Sequence, residues 1–240
     1  MANQRTIGIL VTNTDRSDFA QRQAGDGETF TKLMQSARPD WTYRTYDCTQ
    51  GKFPNSIDEC DGYVMGGSPA SVNDDEQWIA KLLEFIRQLD TAQKPMVGCC
   101  FGHQAIAKAL GGTVSKNPNG WGFGVAPTHI AQGEVWMTPS KSTLQLYAAH
   151  NEQVTVLPRR AVIVGGDEFC PVGAFTVGAH FLTTQYHPEM TKPFFVGLTH
   201  AFENHIGTDI ATRARQQAET KTDGIILAQW MANFLEQGQR

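Results

Sequence analysis

Strand-like and helix-like patterns alternate through the first half of the chain, and the strand-like runs are short and carry few charges. Thr6–Thr12 (TIGILVT) is apolar and rich in β-branched residues, as a buried strand is. Beyond a polar loop, Phe30, Leu33, Met34 and Ala37 recur at i, i+3, i+4 and i+7, which is one helix face. Trp41–Asp47 alternates aromatic and polar residues like a strand. Tyr63–Met65 is a further strand, closed by the turn Gly66-Gly67-Ser68-Pro69. Asn73 followed by Glu76 has the spacing of a capping box, ahead of a helix whose face carries Trp78, Ile79, Leu82, Leu83, Ile86 and Leu89. Pro95–Cys99 reads as a buried strand, and Phe101–Leu110 as a helix stopped by Gly111-Gly112. Repeated β–α units of this length predict an α/β fold, a mainly parallel sheet covered by helices on both faces.

From Gly120 the pattern changes to short strands separated by Gly, Pro and Asn. These are Trp121–Ile130, Leu144–Ala149, Val154–Leu157, Ala161–Val164, Gly173–Val177 and Phe181–Gln185. No linker-like segment divides them from the first half, so they are expected as added antiparallel strands in one domain spanning residues 1–240. Two helical segments are expected to close the chain. The last carries Leu227, Trp230, Met231, Phe234 and Leu235 on one face, as a helix docked on a core does.

Charge and cysteine usage narrow the function classes. With 20 Lys+Arg against 24 Asp+Glu, the net charge of −4 offers no chain-wide basic field for nucleic acid. No stretch approaches the roughly 18 apolar residues of a membrane span, so no membrane partner is expected. Five cysteines, an odd number that includes the adjacent pair Cys99-Cys100, do not make a disulfide framework. Free thiols point to a reducing, cytoplasmic compartment. Without C-x-x-C or H-E-x-x-H there is no support for a zinc site.

The chemistry concentrates at Val97-Gly98-Cys99-Cys100-Phe101-Gly102-His103-Gln104, where a strand turns into a helix. Gly98 and Gly102 flank Cys100 two residues away on each side, the thiol counterpart of the G-x-S-x-G nucleophile elbow. A nucleophile on so tight a turn crowds those neighbours, so they must be small, and the helix N-terminus beyond favours the thiolate. Cys99 is flanked by Val97 and Phe101 and, lying on the strand, faces the other way into the core.

A cysteine nucleophile needs a base and a group that orients the base. His187-Pro188-Glu189 follows a predicted strand, and an extended i, i+2 pair can share one side, which lets the carboxylate reach the imidazole. His103, one turn into the helix, is the competing base, without an evident orienting acid. The oxyanion formed on a carbonyl needs N–H donors. Phe101 supplies one as the residue after the nucleophile, and Gly67 in the glycine turn fits the other.

Gly66-Gly67, Gly98–Gln104 and His187–Glu189, in this order and at these separations, resemble the class-I (triad) glutamine amidotransferase family. Lesser similarities are Gly120–Gly124 and His150-Asn151-Glu152-Gln153-Val154. The resemblance spans roughly residues 6–205, leaving 206–240 as a C-terminal helical extension. The Phe-Gly-His-Gln form of the elbow looks most like stand-alone members similar to the glutaminase part of GMP synthase.

The resemblance implies a flavodoxin-like sheet and a γ-glutamyl thioester on Cys100, formed from glutamine with release of ammonia, with no cofactor. It implies His187 as base, Glu189 as its orienting partner, and Gly66, Gln104, His150 and Asn151 around the substrate. Many family members carry a hydrophobic residue where this chain has His103. The chain has no P-loop and no G-x-G-x-x-G with which to activate an ammonia acceptor. Either a separate synthase subunit takes the ammonia, or the protein hydrolyses glutamine or a γ-glutamyl peptide outright. A non-enzymatic thiol sensor built on Cys99-Cys100 is the remaining alternative, and it has no need of a His-Pro-Glu element.

Overall fold

The computed structural model describes residues 4–237. The elements run β1 (Thr6–Val11), α1 (Asp18–Gln21), α2 (Asp26–Ala37), β2 (Thr42–Asp47), β3 (Gly62–Met65), α3 (Gln77–Thr91), β4 (Met96–Cys99) and α4 (Phe101–Ala109). They continue with β5 (Thr113–Lys116), β6 (Gly122–Ile130), β7 (Thr143–His150), β8 (Glu152–Val156), β9 (Ala161–Gly166), β10 (Ala174–Val177) and β11 (Phe181–Thr184). Three helices close the chain: α5 (Lys192–Ile206), α6 (Thr208–Gln217) and α7 (Gly224–Gln237). None of the described helices is long and apolar enough to cross a membrane.

Nine strands form one sheet in the order β2-β1-β3-β4-β11-β10-β9-β6-β7. The first five are parallel, from Ile7 beside Tyr43 to Thr184 beside Cys99, in the order of a flavodoxin-like doubly wound sheet. The remaining pairs are antiparallel. Strand alternation sorts the core into two layers. Ile7, Ile9, Val64, Val97 and Cys99 face α2 and α7, whereas Leu10, Tyr63, Met65 and Met96 face α3 and α4. Against β6 and β7, α5 and α6 enclose a third cluster, with Phe195 stacked on Tyr147 at 4.3 Å.

Several expectations are corrected. The segment Thr113–Lys116, to which the sequence pattern assigns no element, pairs with β8 as a separate two-stranded sheet, so not every added strand joins the main one. The two closing helical segments are three helices, because Gly207 at φ 87° breaks the run after Ile206. The capping box is not formed: α3 starts at Gln77, and Glu76 caps it without a side-chain bond. Asn73 instead donates to the Val114 carbonyl at 3.1 Å and accepts from Lys108 at 2.6 Å. A tertiary partner has displaced a local one. The amphipathic face of α7 docks on the sheet as expected, with Trp230 buried and its indole N–H donating to Pro139 O at 2.9 Å.

Candidate active site

Parallel strands of this order leave a crevice beyond their C-terminal ends, and the predicted site residues gather there. β4 ends at Cys99, and Cys100 turns the chain into α4 with φ 51° and ψ −105°, a conformation a residue with a Cβ rarely adopts. The glycines explain how the turn closes. A Cβ on Gly98 would stand 2.6 Å from the carbonyl carbon and oxygen of Gly102, and one on Gly102 would stand 2.9 Å from Met65 O. Backbone cannot yield as a side chain does, so both positions exclude every larger residue. The turn is tied down by Cys100 N–H to Thr184 O at 2.8 Å and Gln104 N–H to Cys100 O at 3.1 Å.

His187 follows β11 and is anchored by its backbone N–H on Tyr147 O at 2.9 Å. Its Nδ1 lies 2.6 Å from Glu189 Oε1, both side chains being nearly buried at 7% and 11% exposure. The buried Nε2 has no other hydrogen-bond partner among the described residues and is left for the Cys100 thiol beside it. Burial alone pulls the imidazole pKa down. Glu189 and Cys100 outweigh it and hold the ring well above its ordinary value, so the proton it would take from the thiol is well accommodated.

Gly67 closes the group from the loop after β3. A Cβ there would come within 2.9 Å of His187 Cε1 and 3.6 Å of Cys100 Cβ, so the backbone approaches both. Phe101 is the first residue of α4, where backbone N–H groups have no helical acceptor. Cys100, Gly67, Gln104, His150, Asn151, His187 and Glu189 line one cleft of about 1590 Å³. Gly66 stands behind it, its α-carbon against the Phe30 ring and its carbonyl turned towards Gly102 N–H at 3.1 Å.

The remaining predicted residues have defined states. Gln104 donates from Nε2 to Glu152 O at 2.9 Å and to Gln185 Oε1 at 3.1 Å, which spends both its amide hydrogens and leaves Oε1 as its acceptor. His150 donates from Nδ1 to Glu152 O at 3.1 Å, and burial pushes its pKa down to about 4, so the ring is neutral. Asn151 O accepts from Asn117 N–H at 2.7 Å, so this backbone carbonyl is already committed internally.

His103 stays apart from this group. It is fully buried, with Nδ1 2.9 Å from Thr183 Oγ1 and its ring packed on Phe175, and burial lowers its pKa to about 3. Cys99 is buried on the α2–α7 side, where burial holds its thiol pKa well above normal. All five cysteines are free.

Two neighbours carry no signal in the sequence. Asp26, first residue of α2, accepts from Asn13 Nδ2 at 3.1 Å and lines the same cleft. Burial first, and then the charge of Glu189, raise its pKa to about 6 against the pull of Asn13 and His187. Thr12 sits fully buried at the end of β1, bonded to the glycine loop. Neither belongs to a local pattern: the contacts that matter come from Asn13 in a loop and from residues 54 and 55 positions away.

Residues 40–193 match the sequence model of the glutamine amidotransferase class-I family. The γ-glutamyl peptidase 3 of Arabidopsis thaliana is 32% identical over 97% of both chains. One of the subunits of the glutamine-hydrolysing GMP synthase of Sulfolobus acidocaldarius is 29% identical over 59% of this chain and 74% of its own. In fold, the crystal structure of a glutamine amidotransferase from Thermotoga maritima superposes with a TM-score of 0.78 at 17% identity, covering 96% of this chain and 98% of that one. The chain belongs to the class-I glutamine amidotransferase family and is an enzyme.

Proposed function

We propose that the protein hydrolyses the γ-amide bond of γ-glutamyl peptides through a thioester on Cys100. His187 takes the thiol proton as sulfur attacks the γ-carbonyl, and the oxyanion is held by the N–H groups of Phe101 and Gly67. When the intermediate collapses, the C–N bond breaks and His187 passes that proton to the departing amine. A water then attacks the thioester, giving its proton to His187 and releasing glutamate and the free thiol. Glu189 orients the ring and stabilises its charged form through both steps.

The observation that carries the peptide reading is the size of the cleft. Small-molecule sites span about 300–1,000 Å³. The cleft that Cys100 and His187 line is about 1590 Å³, more than glutamine alone would fill. The end-to-end similarity to γ-glutamyl peptidases supports the same reading. A second reading keeps glutamine as substrate and hands the ammonia to a separate synthase. It draws support from the similarity to the GMP synthase of Sulfolobus acidocaldarius.

Glutamate release by the purified chain from γ-glutamyl dipeptides and from glutamine separates the two. A higher kcat/KM on the dipeptides, lost in Cys100→Ala, supports the first reading. Cys100-dependent turnover of glutamine alone favours the second. Turnover of neither by the isolated chain would overturn the peptide reading.

A further inference from the structure

Gly67 has conflicting demands. It must be glycine, because a Cβ would press on the His187 ring, yet glycine is the residue that holds its φ and ψ least firmly. An oxyanion donor is useful only when its N–H is already aimed. Something outside the loop has to supply that rigidity.

The hydrogen bonds around the loop identify the source. Thr12 Oγ1, fully buried, donates to Gly67 O at 3.0 Å and lies 3.3 Å from Gly66 O. Gly66 O also accepts from Gly102 N–H at 3.1 Å. The two peptide groups flanking the Gly67 α-carbon are therefore both held by their carbonyls. A trans peptide is planar, with its N–H opposite its C=O. With Gly66 O turned towards α4 and the end of β1, the Gly67 N–H lies in the same plane and points the opposite way. Thr12 directly follows β1 and Gly102 belongs to α4, so the loop is clamped between the end of β1 and the first turn of α4.

We propose that Thr12 is a positioning residue for the reaction, fixing the Gly67 peptide so that its N–H meets the oxyanion formed at Cys100. The inference rests on the thioester reading above. Its consequence is specific: losing the hydroxyl should weaken stabilisation of the transition state, while the thiol and the ground-state cleft are left as they were.

The test compares Thr12→Val, close in shape but without the hydroxyl, with Thr12→Ser, which keeps it. One hydrogen bond of net worth about 1 kcal/mol corresponds to roughly a five- to tenfold change in rate. Thr12→Val should lower kcat on the best γ-glutamyl substrate by about that factor, with KM within about twofold. Its Cys100 should be alkylated by iodoacetamide at the wild-type rate, a reaction that needs no oxyanion donor. Thr12→Ser should recover most of kcat.

Wild-type kcat in Thr12→Val overturns the proposal. So does a Thr12→Ser variant as slow as Thr12→Val, or a loss of alkylation that parallels the loss of turnover. If Thr12→Val does not fold, Thr12→Ala against Thr12→Ser provides the same comparison. A Cys100→Ser control separates the two levels: full turnover in that variant refutes the thioester reading itself, whatever Thr12 does.

Discussion

The backbone at Cys100 permits a stability experiment in which the sign of the answer is diagnostic. With φ 51° and ψ −105°, Cys100 lies where a side chain is strained and glycine is not. Such a residue stores about 1–3 kcal/mol. Cys100→Ala and Cys100→Gly both remove the thiol, so their difference contains only the methyl and the backbone. At an unstrained buried position glycine would be the worse residue by about 1.5 kcal/mol, from about 0.8 for the lost methyl and about 0.7 for chain entropy. Relief of strain opposes this and shifts the expected difference to between about 0.5 kcal/mol against glycine and about 1.5 kcal/mol in its favour. Urea denaturation of the two inactive variants under one buffer condition reads it directly. Comparable or greater stability of Cys100→Gly supports a strained elbow that presents the nucleophile at a cost to the fold. A deficit of about 1.5 kcal/mol would mean that the turn is relaxed and that the glycines at 98 and 102 have another explanation.

Further outcomes follow from the same geometry. Cys100→Ala and His187→Ala should lose nearly all turnover while remaining folded, whereas Glu189→Gln should retain a measurable rate, because it removes an orienting charge and leaves the base. Steady-state rates check the order, and Glu189→Gln as inactive as Cys100→Ala would contradict it. Gly67→Ala should cut kcat at least tenfold with little change in stability, since the new methyl meets the His187 ring 2.9 Å away and must push it aside; a wild-type kcat would refute the contact. Acid stability has a definite sign. His103 and His150, with pKa values lowered to about 3 and 4, contribute stability present above the ordinary histidine value and lost as pH falls. Asp26, raised to about 6, is stabilising at low pH and opposes them as its carboxyl protonates. His187 is raised, so its contribution is complete below the ordinary histidine value and fades only as pH rises through its folded value. Between pH 6 and 5 the two histidines together outweigh Asp26, so stability falls as the solution is acidified. His103→Leu should flatten that slope in urea titrations at the two pH values, and an unchanged slope would contradict its being buried and neutral.

The parts of this fold that sequence displayed are those encoded by local repetition or local crowding. Alternating burial in TIGILV and the i, i+3, i+4 face of Phe30, Leu33 and Met34 follow from strand and helix geometry alone, and both elements stand where the pattern put them. The glycines around Cys100 were legible from the tightness of the turn, where Gly98 approaches the Gly102 backbone within five residues; that Gly102 also clears Met65 O was not. His187-Pro188-Glu189 was legible because the carboxylate it needs is two residues on.

What escaped depends on distant partners. Thr113–Lys116 is a strand because Glu152–Val156 lies alongside it. Asn73 was drawn from capping to Val114 and Lys108, and His103 was turned from the thiol towards Thr183, 80 residues away. Thr12 looked like one more β-branched strand residue, and only the folded loop reveals what its hydroxyl does. Asp26 fell within the polar stretch before Phe30, and nothing near it in the chain announces that Glu189 and His187 will be its neighbours.

The proposed reaction turns on a covalent γ-glutamyl group carried by the Cys100 sulfur. Rapid acid quenching of the enzyme during turnover of a γ-glutamyl peptide, followed by mass spectrometry of the intact and digested chain, tests it most directly. One γ-glutamyl group should appear on the fragment holding Cys99 and Cys100, labile to hydroxylamine, abolished by Cys100→Ala and retained in Cys99→Ala. Continued turnover in Cys100→Ala, or an adduct that survives there and disappears in Cys99→Ala, would contradict it.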